Sequence, residues 1–319
     1  MFILCVKSSH AMGMGHLFRA INIYRALQCE NAEAMIVLLE EHAASMAWLD
    51  KEGVPYTVVK DGADRSSNWE ARLISRYGAK VWVNDRMQTD GEHAARIKAL
   101  GLKLVTFDDT GPGAGMSDLH VAPLAALRRE SPAGARVLVG IEYLLLSPEV
   151  ARYRRQRKEA SRWVISLGGS DTHGVTVKIA KWLGDNGMRA TIILGPAFAH
   201  DDALASIDCR MFDIKRSVPS LAEEFYSHDI AITGGGLTAF EAAAAGLPTI
   251  VVANEPWEIL HGQYLESLGC SRFAGPCEAM NLEVLHAPLD IESMSHAALS
   301  AVNAEGVKKV SQELLAMIR

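Results

Sequence analysis

Short runs of apolar and β-branched residues alternate along the chain with longer amphipathic stretches, the pattern of a parallel α/β architecture. In the first half, Phe2–Val6, Ala34–Leu39, Tyr56–Val59, Val81–Val83, Lys103–Phe107 and Leu119–Ala122 predict strands. Leu17–Gln28, Glu41–Lys51, Trp69–Arg76 and Gly91–Leu100 predict the helices between them. The run Ile36-Val37-Leu38-Leu39 is apolar at consecutive positions, as a strand covered by helices on both faces requires. Between Pro148 and Arg162 the rhythm stops: Arg152, Arg154, Arg155, Arg157, Lys158 and Arg162 fall among few strand formers. This stretch reads as a solvated linker helix, with a phosphate-binding or acidic-partner patch as the alternative. The alternation then restarts. Trp163–Ser166, Ala190–Leu194, Cys209–Phe212, Asp229–Ile232 and Thr249–Ala253 predict strands, with helices at Gly174–Asp185, Ser220–Tyr226, Leu237–Ala245 and Trp257–Leu268 and a helical tail from Ile291 to Arg319. The expected organisation is an N-terminal Rossmann-like domain over 1–150, a C-terminal Rossmann-like domain over 151–290, and terminal helices over 291–319 that pack back across the junction. Each domain would carry a parallel sheet, the two facing a central cleft.

A length of 319 residues fits about two domains. Hydrophobic residues at 49% and charged residues at 22% are a globular balance. The net charge of -6 argues against a broad nucleic-acid footprint, yet leaves open a small anionic ligand, which backbone N–H groups and helix N-termini can hold. Cys5, Cys29, Cys209, Cys270 and Cys277 form no Cys-x-x-Cys pair and read as reduced, small apolar residues. No run reaches the ~20 apolar residues of a membrane helix, and Phe2–Val6 is too short for a signal peptide core. A cytoplasmic protein without an integral membrane segment is expected.

Three glycine turns follow predicted strands, and ligands of open α/β sheets lie beyond the carboxyl ends of strands. The first, Met12-Gly13-Met14-Gly15-His16, lacks the third glycine of a dinucleotide fingerprint because position 18 is Phe18, which disfavours NAD. His16 would stand at a helix N-terminus, where the dipole favours the neutral ring and makes it a candidate general base; a local hydrogen-bonding role is the plainer alternative. The second is Gly168-Gly169-Ser170-Asp171, where Ser170 or Asp171 caps a helix, the glycines face a ligand, or both. The third, Thr233-Gly234-Gly235-Gly236-Leu237-Thr238-Ala239-Phe240-Glu241, is the most specific. Successive glycine amides beside a helix N-terminus suit a diphosphate, and Glu241 either accepts ribose hydroxyls or serves the helix dipole. There is no Asp-x-Asp motif; Asp108-Asp109 and Asp201-Asp202 read as turn or capping acids, so neither a metal nor a cofactor is expected.

The stretch from Gly235 to Pro248 resembles the donor-binding segment of GT-B sugar-nucleotide enzymes such as the lipid II N-acetylglucosaminyltransferase. A wider set resembles the UDP-sugar hydrolase of pseudaminic acid biosynthesis and related spore-coat polysaccharide proteins: Gly13-Met14-Gly15-His16 with Arg19, Phe107-Asp108-Asp109, Gly140 to Glu149, and Ser166 to Asp171, in order over residues 1 to about 275. The resemblance implies that Gly15, Gly169, Ser170, Gly234, Gly235, Gly236, Leu237, Thr238 and Glu241 hold the nucleotide, and that His16 activates water for inverting C–O cleavage with release of UDP. Where that family carries an Asp-His-Tyr-like segment, this chain has Asn84-Asp85-Arg86; where it carries an Asn-Gln pair, this chain has Trp257 and Glu258, with Asn254 or Gln263 as shifted substitutes. Sugar contacts are accordingly expected from Arg19, Asn84, Arg86, Asn254, Trp257, Glu258 and Gln263. The leading expectation is a nucleotide-sugar hydrolase of surface-glycan synthesis. A GT-B glycosyltransferase with the same base, a non-catalytic nucleotide-sugar binding protein and an epimerase are the alternatives.

Overall fold

The computed structural model describes residues 1–7, 14–59, 68–127, 131–216 and 218–318. The chain divides into two compact units, Met1–Leu145 together with Glu305–Arg319, and Leu146–Ala304. The N-terminal unit runs β1 (Phe2–Val6), α1 (Gly15–Cys29), β2 (Ala34–Leu38), α2 (Ala43–Glu52), β3 (Tyr56–Val58), α3 (Trp69–Tyr77), β4 (Val81–Asp85), α4 (Gly91–Ala99), β5 (Lys103–Phe107), β6 (Leu119–Val121) and β7 (Val137–Leu138). Its strands lie in the order β3-β2-β1-β4-β5-β6-β7, all in parallel register, with Leu4 of β1 opposite both Ile36 and Val83. β1 and β4 are buried at every position. Ile3, Cys5, Val37, Trp82 and Leu104 pack with Ala94 and Ile97 of α4 in one core, so the inner strands are apolar on both faces, as helix-covered parallel strands must be.

The C-terminal unit repeats the arrangement: β8 (Trp163–Ser166), α5 (Val175–Asp185), β9 (Ala190–Leu194), α6 (Asp201–Ala205), β10 (Phe212–Arg216), α7 (Leu221–Ser227), β11 (Ile230–Gly234), α8 (Leu237–Ala244), β12 (Thr249–Ala253), α9 (Glu258–Ser267), β13 (Ser271–Pro276) and α10 (Ile291–Ala301). The order is β10-β9-β8-β11-β12-β13, again parallel. The final helix, α11 (Gly306–Ala316), belongs to the N-terminal unit, where it packs on α1; α10 stays with the C-terminal unit. No helix among the described residues is long and apolar enough to cross a membrane.

Edge strands are where the hydrophobic pattern misleads. The expected strand Cys209–Phe212 is a 3-10 turn over Cys209–Met211, and the strand begins at Phe212. β10 is half-solvated and reads Phe-Asp-Ile-Lys-Arg, so its polar positions hide it. The edges β7, of two residues, and β13, which contains Gly275 and Pro276, are also absent from the apolar pattern.

The basic stretch is not a linker helix. A 3-10 turn covers Pro148–Tyr153, and the chain then runs without regular structure to β8. Arg152, Lys158 and Arg162 are exposed, whereas Arg157 is 1% exposed. Its guanidinium donates to the carbonyls of Phe225 (2.7 Å), Arg155 (2.7 Å) and Ala245. Arg154 donates to Ala244 (2.8 Å), Leu299 (2.6 Å) and Val302 (3.0 Å), and Arg155 to Tyr226 (2.8 Å) and His228 (2.7 Å). Apart from that of Arg155, these carbonyls lie in the last turns of α7, α8 and α10 or just beyond, where helices leave acceptors without intrahelical donors and carry negative dipole ends. Burial, reinforced by Arg155, pushes the Arg157 guanidinium down to about 9, still protonated at neutral pH.

Replacing Arg157 by alanine strips buried donors from two helix ends and is expected to cost about 3 kcal/mol or more, read from the urea midpoint of the whole chain. Arg154→Ala, at a half-buried position, should cost less. A change under about 1 kcal/mol for Arg157→Ala would show that the capping contributes little.

Candidate functional site

In both sheets the strand order reverses about a central pair: β1 and β4 in the N-terminal unit, β8 and β11 in the C-terminal unit. Loops leaving such a pair wind to opposite faces and open a crevice beyond the carboxyl ends. The candidate residues gather at these two places.

In the N-terminal unit, β1 leads toward α1, and β4 ends at Asp85. Met12 and Gly13 lie outside the described residues. Gly15 and His16 open α1, whose N-terminus has no side-chain cap. His16 Nδ1 lies 2.6 Å from Asp85 Oδ1. A carboxylate there holds the proton on Nδ1 and leaves Nε2 with the free lone pair, the tautomer a general base needs. Asp85 is 2% exposed and is fixed in turn by Arg19. Arg19 Nε donates to Asp85 Oδ2 at 2.6 Å, one terminal nitrogen donates to Asp85 Oδ1, and the other to Asp108 Oδ2 at 2.5 Å. The guanidinium carbon lies 5.6 Å from the centre of the Phe107 ring. Burial alone would raise the Asp85 carboxyl, but Arg19 and His16 outweigh it and hold it down at about 2. Burial likewise opposes the charge on Arg19, and Asp85 and Asp108 overcome it, holding the guanidinium above its ordinary value.

In the C-terminal unit, the loop after β8 comes close to the start of α8: a Cβ on Gly168, which has φ +88°, would lie 3.4 Å from Thr238 Oγ1. The two helix N-termini differ. Asp171 turns back and takes the amides of Val175 (2.8 Å) and Thr176 (2.9 Å), so the first amides of α5 are closed by an internal carboxylate. α8 starts after Gly236 with no side-chain cap and no acid in its first turn. Gly234 and Gly235 are buried, while Gly236, Leu237 and Thr238 are partly exposed. The leading amides of a helix have no acceptor within it, and they attract anions. Among the described residues, the amides left without a side-chain cap at this helix start are those of Gly236 to Thr238.

Gly235 has a different task. Glu258, the first residue of α9, takes the Gly235 amide at 3.0 Å and the Asn254 amide at 2.8 Å on Oε2, with the Glu255 amide at 3.4 Å. A Cβ on Gly235 would meet the Cβ and carbonyl oxygen of Glu258 at 2.7 Å. Glycine is needed there because α9 packs against the loop. Burial pushes the Glu258 carboxyl up to about 7, although its amide donors pull the other way.

Glu241 lies in the second turn of α8, and its Oε1 accepts the Ser147 amide at 3.1 Å. Burial pushes this carboxyl up to about 7 against that hydrogen bond. Glu149, two residues past Ser147, accepts the Ser220 hydroxyl at 2.8 Å, and Ser220 caps α7. The segment ending at Glu149 thus braces α7 and α8.

No family model matches the chain. Over 99% of its length it is 24% identical to the uncharacterized protein MJ1062 of Methanocaldococcus jannaschii, of which it covers 69%. Among solved structures it is similar to MurG of Acinetobacter baumannii, with a TM-score of 0.67, 14% identity and 99% of both chains covered. It is also similar to the spinosyn rhamnosyltransferase SpnG complexed with thymidine diphosphate, with a TM-score of 0.66, 16% identity and 100% of both chains covered. The chain has a GT-B-like fold.

Within that GT-B-like frame the expected sugar ligands divide. Asn84 is fully buried, accepts from Trp82 Nε1 (2.8 Å) and donates to Thr89 (3.1 Å); it builds the β4 end instead of facing a sugar. Arg19 is consumed by its two aspartates, and Glu258 by the loop amides. Gln263 is exposed on α9, rotated by about 140° around the helix from Glu258. Asn254 is buried, and its side-chain oxygen has no donor among the described residues. Trp257 is 44% exposed and meets His261 edge-on. Arg86, just past β4, is half-buried. Gly169 is half-buried and its carbonyl accepts from Ala197 at 2.9 Å, and Ser170 is buried. Of the acids expected to serve turns, Asp109 does so, taking the amides of Thr89 and Gly111 at 2.9 Å; Asp108 instead pairs with Arg19. Sequence reasoning missed Asp85 as a functional residue. The only signal was its position at the predicted β4 end, between two residues that drew notice.

Asp85 has a depressed carboxyl, so its stabilisation is present above its unfolded value near 4 and is lost as pH falls through about 2. Asp85→Asn should lower the urea midpoint at pH 6 by the equivalent of about 2–4 kcal/mol, because Arg19 keeps only Asp108. It should also flatten the loss of stability between pH 4 and 2. Wild-type and variant curves that stay parallel in that acid range would rule out this linkage.

Proposed function

We propose that the chain is a nucleotide-sugar-dependent enzyme, with glycosyl transfer to a hydroxyl acceptor as the leading reading. The carrying observation is the open amide cluster Gly236 to Thr238 on an uncapped α8, a receptor for a diphosphate in a GT-B-like fold. Glu241 is the ribose acceptor: Ser147 engages one of its oxygens, which leaves capacity for a hydroxyl donor. Asn254 supports a sugar contact, since a buried acceptor without a donor gains from any hydroxyl or amide a ligand brings. Trp257 offers an exposed ring. His16, oriented by Asp85, takes the proton of the nucleophile as its oxygen bonds to the anomeric carbon. The C–O bond to the diphosphate breaks, and the amides of α8 stabilise the charge that leaves. SpnG, of similar fold, is a rhamnosyltransferase solved with a nucleoside diphosphate, which supports transfer.

Hydrolysis is the second reading, suggested by the ordered motif set that resembles the UDP-sugar hydrolases of pseudaminic acid synthesis. It needs the same base and the same leaving group, with water in place of the acceptor.

Release of nucleoside diphosphate is measured across UDP-, TDP-, GDP- and CMP-sugars, with CMP followed for the last, in the absence and presence of candidate acceptors. Acceptor-dependent release supports transfer, and release with stoichiometric free sugar and no acceptor supports hydrolysis. No binding of any nucleotide sugar would overturn both. His16→Ala should reduce turnover by about 10²–10⁴-fold with nucleotide affinity nearly intact; full activity removes the base assignment. Glu241→Ala should weaken nucleotide binding by about tenfold, and an unchanged dissociation constant counts against its ribose role.

A further inference from the structure

Glu258 is a carboxylate seated where a phosphate oxygen would be equally at home. The amides of Gly235, Asn254 and Glu255 converge on its Oε2, while Oε1 receives no amide of the loop and overlies Gly236, where an added Cβ would lie 3.1 Å from it. The residue is 7% exposed. Among the described residues no lysine or arginine pairs with it. The next amides along the same loop, those of Gly236, Leu237 and Thr238, are the open ones. An anion docked there is a close neighbour of a buried negative charge that has no cation, and two such charges disfavour joint ionisation.

We propose that Glu258 is a positioning residue that holds the glycine loop as an internal anion in the free protein and takes up one proton from solvent when the diphosphate of a nucleotide sugar docks on α8. The proton bonds to Oε1, no other bond changes, and Oε2 keeps its amides. The loop retains its shape, the repulsion disappears, and the new O–H becomes a donor beside Gly236 for an anionic oxygen. The site thus replaces a cationic side chain with a carboxyl group that can be neutralised. Burial pushes this carboxyl up to about 7, so the proton adds at little cost near neutrality. The inference rests on the nucleotide-sugar reading above.

The other ionisable groups around it are few. Glu255 lies on the same loop and opposes the charge on Glu258. His173, on the loop after β8, is 3.6 Å from Glu255. His261, one turn along α9, places Nδ1 2.9 Å from the Gly235 carbonyl oxygen. Glu241 lies further along α8.

Isothermal calorimetry with UDP-N-acetylglucosamine and a TDP-sugar, whose esterified diphosphates do not titrate from pH 5.5 to 8, tests the coupling. Each pH is measured in two buffers of different ionisation enthalpy. Wild type should bind with net proton uptake between pH 7 and 8 and lose roughly tenfold in affinity from pH 6 to 8, about one pH unit of linkage. Glu258→Gln, which keeps an acceptor for the amides and an N–H in place of the O–H, should bind with no uptake and a flat profile. Binding by wild type without proton uptake overturns this inference and spares the nucleotide-sugar reading. Uptake that persists in Glu258→Gln moves the source to His173, His261 or Glu241 and overturns it as well. Absence of binding at every pH overturns both. Should Glu258→Gln fail to fold, the uptake is measured in His173→Gln, His261→Gln and Glu241→Gln: uptake kept in all three leaves Glu258 as its source, and uptake lost in any one overturns the inference.

Discussion

A buried carboxylate beside each sheet's central strand pair decides which polar groups there stay available for chemistry. In the N-terminal unit Asp85 ends β4 with almost no exposure, and Arg19 and His16 converge on it. In the C-terminal unit Glu258 opens α9 and gathers amides of the glycine loop. Burying a charge is costly unless hydrogen bonds or an opposite charge satisfy it. The partners of each carboxylate are therefore fixed by folding, and what remains unclaimed among the described residues is the Nε2 of His16 on one unit and the amides of Gly236 to Thr238 on the other.

The two solutions differ in their electrostatics. Asp85 sits against a guanidinium and an imidazole and stays ionised far into acid. Glu258 and Glu241 have amides for company and, among the described residues, no cation, so burial wins and pushes both carboxyls up to about 7. For a carboxyl raised in this way, the folded state is favoured by the protonated form. That contribution is full below the unfolded value near 4.5 and is lost as pH rises through about 7. The C-terminal unit should therefore lose stability as pH rises from about 4.5 through 7, while the Asp85 cluster makes the N-terminal unit lose stability as pH falls from about 4 through 2.

The inner strands were legible because apolar residues on both faces leave no other reading for runs such as Phe2–Val6 or Thr249–Ala253. The edges were not: β10 carries Asp213, Lys215 and Arg216 on a half-solvated strand, and pattern alone sends such a segment to a loop. Glycine turns and His16 were visible as local motifs. Their partners were not, since Asp85 lies 69 residues from His16 and Glu258 lies 23 from Gly235. Nothing local marks such pairs. The same limit explains the arginines. A run of basic side chains at 152–162 looks solvated in sequence, but Arg157 finds helix-end carbonyls contributed by residues about 70 to 90 positions away, and a guanidinium's donors suit several carbonyls at once.

A net charge of -6 would count against an anionic ligand if recognition depended on side-chain cations. The C-terminal unit removes that objection through its backbone. Amide dipoles at a helix start attract anions whatever the chain's overall charge, and at short range inside protein they are not screened as surface charges are. An arginine in the same place would bind diphosphate more tightly, but it would also pair with Glu258 and hold that carboxyl ionised. With no cation beside it among the described residues, burial is what leaves Glu258 poised near neutrality. Its burial beside the glycine loop, the close approach of α9 that only Gly235 permits, and the uncapped start of α8 are parts of one packing solution and not three separate features.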